Sequence, residues 1–328
     1  MADAHAKMSR ARGASMLRHY RSMSEIGKSN WLRVRSERWL RSLLGVRGET
    51  RSVVLRENGR ELRLDVPDDA LWSGVLFVAL LRAYEHAGLE WDGRVGLVVD
   101  AGAHAGLFAL RASVHADRVV AIEPHPTLVA LLRNNVTRSG ATNVEVVDKA
   151  LSDGAGNVTL RPGGDSVSAS VTGEENAPGT RVAAIGLDVL LAAYDSVDLL
   201  KLNVEGAEFA IIAAAADATL RKIRNIAAEL HTAGREHDVA PLIQRLRGAG
   251  FEVVVRDPPS YSWHASAGRV IANWRSVHGE TRTKIVACAI FTMLAVVRPL
   301  IDLRPRLDTD GLRYLHASRP AVSSQSAG

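Results

Sequence analysis

The stretch Gly96-Leu-Val-Val-Asp-Ala-Gly-Ala-His-Ala-Gly106 decides the fold of this 328-residue chain. An apolar run ends at Asp100, and glycines follow at positions 102 and 106, where a helical pattern begins. Glycine permits a sharp turn after a strand and lets a ligand approach without a Cβ atom in the way. A strand, a glycine-rich turn and a helix in this order predict an α/β domain with a nucleotide-type site at the turn.

Apolar strands alternate with helical segments through most of the chain. The predicted strands end at polar residues, namely Asp100, Glu123, Asp148, Asn203 and Glu229. Alternation of this kind predicts parallel βαβ units in a mostly parallel sheet with helices on both faces. Because crossovers are right-handed, the carboxyl ends of these strands meet at one edge, where open α/β sheets bind ligands.

Two acidic residues distinguish the predicted ligand from a dinucleotide. The motif reads D-x-G-x-x-x-G from Asp100, whereas a dinucleotide fingerprint begins with glycine. A carboxylate at that position repels a pyrophosphate and suits a ligand with an ammonium and a sulfonium, such as S-adenosylmethionine. Glu123, at the end of the next strand, can accept hydrogen bonds from both ribose hydroxyls. The pair therefore favours S-adenosylmethionine and disfavours a nicotinamide-dependent oxidoreductase.

The ends of the chain differ from the middle in charge and composition. Residues 1–48 carry eleven Lys or Arg against three acids, and the whole chain has a net charge of +5. We expect a basic N-terminal extension at 1–50 with an amphipathic helix at 31–44, then the main domain at 51–275, which begins with a hairpin turning at Asn58-Gly59. A C-terminal tail with an apolar helix is expected at 276–328.

The composition of the two ends predicts that the protein lies near a membrane but does not span it. A basic amphipathic helix and an apolar tail are typical of peripheral contact with an anionic bilayer, although a solvated basic arm and a helix packed on its own domain give similar patterns. No segment reaches the length of a spanning helix, and no secretory signal is visible. The expected location is cytoplasmic, at or near the inner face of the membrane.

The numbers of cysteines and carboxylates limit which disulfides and metal sites the chain can form. The single cysteine, Cys288, excludes a disulfide framework and a cysteine-rich zinc site. A metal site built from Asn203, Glu229 and His231 would be poor in carboxylates, so no metal is expected.

Seven stretches of the chain resemble the FkbM family of methyltransferases, and together they extend over most of residues 53–255. The stretches are VVDAGAHAGLFAL at 98–110, VVAIEPHP at 119–126, LLRNNV at 131–136, NVEVVDKALSD at 143–153, LDVLL at 187–191, DLLKLNVEGAE at 198–208 and AAELH at 227–231. The resemblance implies a class I methyltransferase Rossmann-like fold, S-adenosylmethionine as methyl donor, and O-methylation of a hydroxyl on a sugar, glycolipid or polyketide-like acceptor, whether a small molecule or a lipid-linked glycan.

The resemblance also implies roles for individual residues. Glu123 would hold the ribose, and Asp148 and Ala150 would lie near the adenine. Asn203 is a further cofactor-binding candidate. It stands where the family usually has Asp, so a charge is lost there while a carbonyl acceptor is kept. The residues implied to line the methionine end of the cofactor are Asp100, Gly102, Ala103 and Gly106. His104, inside the same motif, is a further candidate for contact with the cofactor carboxylate or a residue that faces solvent.

Methyl transfer to an alcohol requires removal of the hydroxyl proton by a positioned base. The candidates are His231, Glu205 and Glu229. His231 ends a strand at the active edge and has a suitable ordinary pKa. Glu205 is alternatively a cap of the helix that follows, and Glu229 is alternatively a hydrogen-bonding partner of the sheet edge or the substrate.

Two other functions compete with an O-methyltransferase of a glycan or lipid-linked acceptor. Asn203 raises the alternative of a degenerate, non-catalytic cofactor-binding partner protein. The basic arm raises the alternative of a nucleic-acid methyltransferase, which is disfavoured because aromatic residues, at 5%, provide few stacking platforms for bases.

Overall fold

The computed structural model describes residues 50–67, 70, 74, 78–79, 82–85, 93–161, 170–172, 179–232, 239–256, 277–278 and 312–319. All of them belong to one compact unit made of residues 49–281 and 311–328. The predicted amphipathic helix at 31–44 and residues 279–311 of the predicted tail lie outside the described residues, so the predicted membrane contact stays a prediction. Among the described residues, no helix is long and apolar enough to cross a membrane.

A seven-stranded sheet forms the centre of the unit. Its strands are β3 Val95–Ala101, β4 Ala116–Ile122, β5 Val144–Val147, β10 Val197–Leu202, β11 Ile223–His231, β12 Glu252–Arg256 and β14 Leu312–Ser318. They lie in the order β12-β14-β11-β10-β3-β4-β5. The strands β3, β4, β5, β10 and β11 pair in parallel, and β14 runs antiparallel between β11 and β12. This arrangement confirms the predicted class I methyltransferase fold, an α/β fold with a mostly parallel sheet.

Helices between the strands bury both faces of this sheet. Their bounds are α1 Leu107–His115, α2 Pro126–Arg138, α3 Leu187–Leu190, α4 Glu208–Ala214, α5 Asp217–Lys222 and α6 Val239–Gly248. Successive residues of a strand point to opposite faces, so neighbouring positions fall into different cores. One core includes Val99, Leu200 and Ile226, and the other includes Val98, Leu199 and Ala227. The continuous apolar runs of these strands are explained by burial on both sides.

Strand β14 corrects the predicted domain boundary. The stretch 276–328 was expected to be a C-terminal tail with an apolar helix. Within that stretch, β14 pairs with β11 from His231↔Leu312 to Asn225↔Ser318. Tyr314 and Leu315 are buried in opposite cores. The boundary at 275 therefore misses a strand, because a short isolated apolar run shows no periodicity that separates it from a tail.

Two smaller sheets flank the central one. The predicted hairpin is confirmed: β1 Thr50–Glu57 pairs with β2 Arg60–Pro67, and β13 Val277–His278 adds to β1. Asn58 and Gly59 both have positive φ, as the tight hairpin turn requires. The second sheet has the order β6-β9-β7-β8, with β6 Ala150–Ser152, β7 Gly156–Arg161, β8 Ser170–Thr172 and β9 Thr180–Gly186.

A buried ionic cluster attaches the hairpin to the central domain. Arg111 of α1, only 2% exposed, contacts Glu57 of β1 at 3.1 Å and Glu85 at 2.5 Å. His115 contacts the same Glu57 at 2.9 Å. Burial alone would raise the pKa of Glu57, but the hydrogen bond with His115 and the charge of Arg111 outweigh it and lower the pKa to about 2. These charges thus stabilise the contact between the hairpin and the central domain.

We predict that Arg111→Met lowers the free energy of unfolding by about 3–5 kcal/mol, because it leaves two carboxylates in a buried site without their main cation. Denaturant unfolding at pH 7 measures the loss. The matched control is Arg56→Met, which removes an exposed pair with Glu61 and should cost no more than about 1 kcal/mol. Equal losses in the two variants would contradict this account.

Strand β14 gives a second prediction. A chain ending at residue 310 should lose cooperative unfolding, because the facing edges of β11 and β12 lose their partner and Tyr314 and Leu315 leave the cores. A chain ending at Arg319 keeps the strand and the guanidinium that donates to the Ile223 carbonyl at 2.9 Å, and should unfold as the full chain does. Circular dichroism during urea titration compares the two, and cooperative unfolding of the shorter chain would show the strand to be dispensable.

Candidate functional site

The glycine-rich turn at the carboxyl end of β3 has three left-handed residues, Gly102, His104 and Gly106, with φ values of +77°, +52° and +89°. A Cβ at Gly102 would lie 1.7 Å from the backbone oxygen of Asn203, and a Cβ at Gly106 would lie 2.4 Å from a side-chain carbon of Leu132. The sequence suggested that these glycines admit a ligand. The structure shows that they are required first by close packing of the turn against its neighbours.

Glu123 is held at the end of β4 by backbone amides of two loops. The N–H of His104 donates to Oε2 at 2.8 Å, and the N–H of His125 donates to Oε1 at 2.9 Å. Burial raises the pKa of Glu123, and the two amides act in the opposite direction. Each oxygen retains acceptor capacity beyond its one amide, so the carboxylate can still receive hydroxyl groups.

Asp100 forms a buried ion pair that was not predicted from the sequence. Lys201 of β10 places its Nζ 2.9 Å from Oδ1 of Asp100, and the two side chains are 4% and 0% exposed. The same ammonium donates to the carbonyl oxygens of Gly102 at 2.7 Å and Ala101 at 3.3 Å. Lys201 thus ties the glycine turn to β10. The only signal in the sequence was a lysine within the apolar strand VDLLKL.

The remaining predicted cofactor residues lie in the glycine turn, after β5 and in β6. Ala103 is buried within the turn, and Ala150 is buried in β6. Asp148 follows β5 and is exposed, with Arg133 at 3.1 Å. Their predicted contacts with a cofactor stay predictions.

Asn203 and Glu229 meet through two tyrosines. The Asn203 Nδ2 donates to the Tyr84 hydroxyl at 3.2 Å, and that hydroxyl donates to Oε2 of Glu229 at 2.8 Å. Tyr314 of β14 donates to the same oxygen at 2.7 Å. Burial and then the charge of Glu229 raise the pKa of both tyrosines well above the usual value, so both remain donors. Neither tyrosine was predicted, because both lie far in sequence from the motifs.

His231 lies between two carboxylates. Its Nδ1 is 3.0 Å from Oε1 of Glu208, and its Nε2 is 3.3 Å from Oε2 of Glu205. Burial opposes protonation, but the hydrogen bonds and charges of Glu205 and Glu208 outweigh it and raise the pKa of His231 to about 11. An imidazolium has no free lone pair, so this geometry does not support His231 as the base. Glu205, which also has a left-handed φ of +54°, is engaged by the same cation.

Glu208 is fully buried at the start of α4 and was not predicted as part of the site. Besides His231, it accepts the backbone N–H groups of Val204 at 2.9 Å and Gly206 at 3.0 Å. Burial raises the pKa of Glu208, and the interaction with His231 outweighs it, so the net change is a lowering. The carboxylate therefore organises the loop that carries Asn203. Within the described ranges, no group of three or more His, Cys, Asp or Glu residues is arranged to hold a metal ion.

Comparison with known proteins identifies the family. The sequence model of the methyltransferase FkbM domain matches residues 100–253. The 31-O-demethyl-FK506 methyltransferase FkbM of Streptomyces tacrolimicus is 30% identical over 219 residues, which are 55% of this chain and 82% of that protein. The chain belongs to the FkbM methyltransferase family. Membership in the FkbM family confirms the predicted resemblance and agrees with S-adenosylmethionine as the cofactor.

This FkbM family member is also similar to a much longer protein and to a solved structure of low sequence identity. The AMB antimetabolite synthetase AmbE of Pseudomonas aeruginosa is 29% identical over 208 residues, which are 49% of this chain and 10% of that protein. This chain thus spans about a tenth of that relative's length. The crystal structure of methyltransferase FkbM from Methylobacillus flagellatus KT is 17% identical, covers 52% of this chain and 43% of its own, and superposes with a TM-score of 0.37.

The ion pairs of His231 predict a pH-dependent stability. Because its pKa is raised from 6.5 to about 11 on folding, its contribution is complete below about pH 6.5 and is lost as the pH rises towards 11. The difference in free energy of unfolding between the wild type and His231→Gln should therefore shrink from pH 6 to pH 10. Urea titrations at both pH values measure it. A difference that stays constant over this range would contradict protonation of His231 in the folded state.

Proposed function

We propose that this FkbM family member transfers a methyl group from S-adenosylmethionine to a hydroxyl of a sugar, glycolipid or polyketide-like acceptor. The observation that carries the proposal is Glu123, a buried carboxylate held by two backbone amides beside the glycine turn. That geometry suits the two hydroxyls of a ribose. The relative from Streptomyces tacrolimicus supports an oxygen acceptor, since its name describes methylation of 31-O-demethyl-FK506.

The residues present fit this cofactor. S-adenosylmethionine supplies an electrophilic methyl group on a sulfonium. Glu123 would hold its ribose, and Asp148 and Ala150 would flank the adenine. The glycine turn would face the methionine end, where both oxygens of Asp100 are buried and neither accepts a well-formed hydrogen bond from a described residue, although Lys201 is within ion-pair distance. Part of the charge of Asp100 is thus balanced by Lys201 before any cation binds.

Glu229 is the base that the geometry favours. His231 is a cation in the folded state, and Glu205 is its ion-pair partner. Glu229 is partly exposed, and the described residues donate to its Oε2 rather than to Oε1. Oε1 of Glu229 would accept the proton of the acceptor hydroxyl, and the bound cofactor would supply the methyl group. Holding the acceptor oxygen in line with that methyl group accounts for much of the rate gain of such a transfer.

The non-catalytic alternative receives no support from Asn203. Its amide is hydrogen-bonded to Tyr84, and Tyr84 is hydrogen-bonded to Glu229, so the residue belongs to an ordered polar cluster rather than to an abandoned site.

The cofactor site is tested by calorimetric titration with S-adenosylmethionine and S-adenosylhomocysteine. Glu123→Ala should weaken binding at least about tenfold, because hydrogen bonds to a charged group contribute about 1.5–3 kcal/mol each. The matched control is Glu145→Ala on the next strand, which removes an exposed carboxylate paired with Arg118 and should leave affinity unchanged. Thermal melting checks that both variants fold. Failure of the wild type to bind either ligand would refute the proposed function.

A further inference from the structure

The hydrogen bonds between Asn203 and Glu229 run in one direction. Asn203 Nδ2 donates to the Tyr84 oxygen, the Tyr84 proton goes to Glu229, and the Tyr314 proton goes to the same carboxylate oxygen. A phenol has a single proton, so while Tyr84 donates it to Glu229, a hydrogen bond between Tyr84 and position 203 can form only if the residue at 203 is the donor. An amide can do so, and a carboxylate cannot.

This direction determines what the cluster offers to a ligand. Both phenol protons and one amide proton are used within the cluster. Oδ1 of Asn203 is buried and has no hydrogen-bond partner among the described residues. Oε1 of Glu229 likewise receives no hydrogen bond from them. The oxygen atoms left without a donor are therefore acceptors, and the one donor left is the second N–H of the Asn203 amide. A buried acceptor without a donor carries a cost that a suitable ligand removes.

We propose that Asn203, Tyr84, Glu229 and Tyr314 form a directed hydrogen-bond chain that presents acceptor oxygens, so that the site takes a neutral hydroxyl group and rejects a carboxylate. The inference rests on the proposed function for the identity of the ligand as the methyl acceptor. It also assigns Tyr84 and Tyr314, which lie outside the matched range 100–253, as positioning residues for Glu229.

Charge explains why position 203 is neutral. Asp100 lies close enough for its charge to act on Tyr84, and Glu229 contacts Tyr84 directly. Lys201, the cation 5.3 Å from the centre of the Tyr84 ring, is already paired with Asp100. A further carboxylate at position 203 would face Glu229 across one phenol with one proton to share, and like charges in a poorly solvated site repel strongly.

The chain is tested by combining Asn203→Asp with Glu229→Gln. Asn203→Asp alone should lower the folding equilibrium constant about tenfold or more, because it removes the donor and adds a like charge. In the Glu229→Gln background the chain can reverse: the glutamine amide donates to Tyr84, and Tyr84 donates to the new aspartate. There the same change should cost less than about threefold. Urea unfolding without cofactor measures all four proteins.

The matched control is Asn225→Asp, near the start of β11, which loses the hydrogen bond from its amide to the Asp198 carbonyl but does not contact Glu229. Its cost should be the same in both backgrounds. Equal costs of Asn203→Asp in both backgrounds, or a gain in stability or methyl transfer from that change, would overturn the directed chain. Because unfolding is measured without cofactor, this result is independent of whether the wild type binds S-adenosylhomocysteine.

The ligand class has its own measurement. The wild type is incubated with methyl-labelled S-adenosylmethionine and either methyl glucoside or glucuronate, and the products are separated by mass and by alkaline lability. A labelled methyl ether, formed on a sugar hydroxyl, supports a site that takes a neutral hydroxyl group. A labelled, alkali-labile methyl ester on the carboxylate of glucuronate overturns the proposal.

Discussion

The site depends on a close backbone contact between the carboxyl ends of β3 and β10. At Gly102, just after β3, this contact leaves no room for a side chain. The Asn203 N–H donates to the Ala101 oxygen at 3.0 Å, and a Cβ at Gly102 would overlap the Asn203 oxygen. The ammonium of Lys201 completes the junction by binding the Gly102 carbonyl and Asp100. Through this junction the glycine turn, where we place the cofactor, is rigidly connected to Asn203, where we place the acceptor.

Most of the fold could be predicted because its signals are local. A strand that ends at Asp100 or Glu123 is visible as an apolar run, and the hairpin is visible at Asn58-Gly59. Strand β14 could not be predicted, since only pairing with distant residues distinguishes Leu312–Ser318 from an irregular tail. For the site, the motifs located Glu123 and Asn203, whereas Tyr84 and Tyr314 reach Glu229 through tertiary packing that no spacing rule encodes.

Electrostatics divides the predicted bases into different roles. His231 and Glu229 are two residues apart on β11, yet His231 contacts Glu205 and Glu208 while Glu229 contacts only phenols among the described side chains. The carboxylates keep the histidine cationic, so it orders the loop after β10, and the neutral phenols leave the glutamate available to a ligand. Neighbours, rather than residue type, thus decide which side chain can accept a proton.

The position of β14 also has a consequence for synthesis of the protein. Residues 223–231 and 252–256 are synthesised before 312–318, so the central sheet lacks its antiparallel strand while the stretch between them is being made. During that interval the facing strands expose unpaired backbone groups, a state in which nascent chains are prone to wrong pairings. Because Tyr314 arrives with the same strand, the polar cluster around Glu229 is completed only after the sheet closes, and a prematurely terminated chain would carry every recognisable motif without an ordered acceptor site.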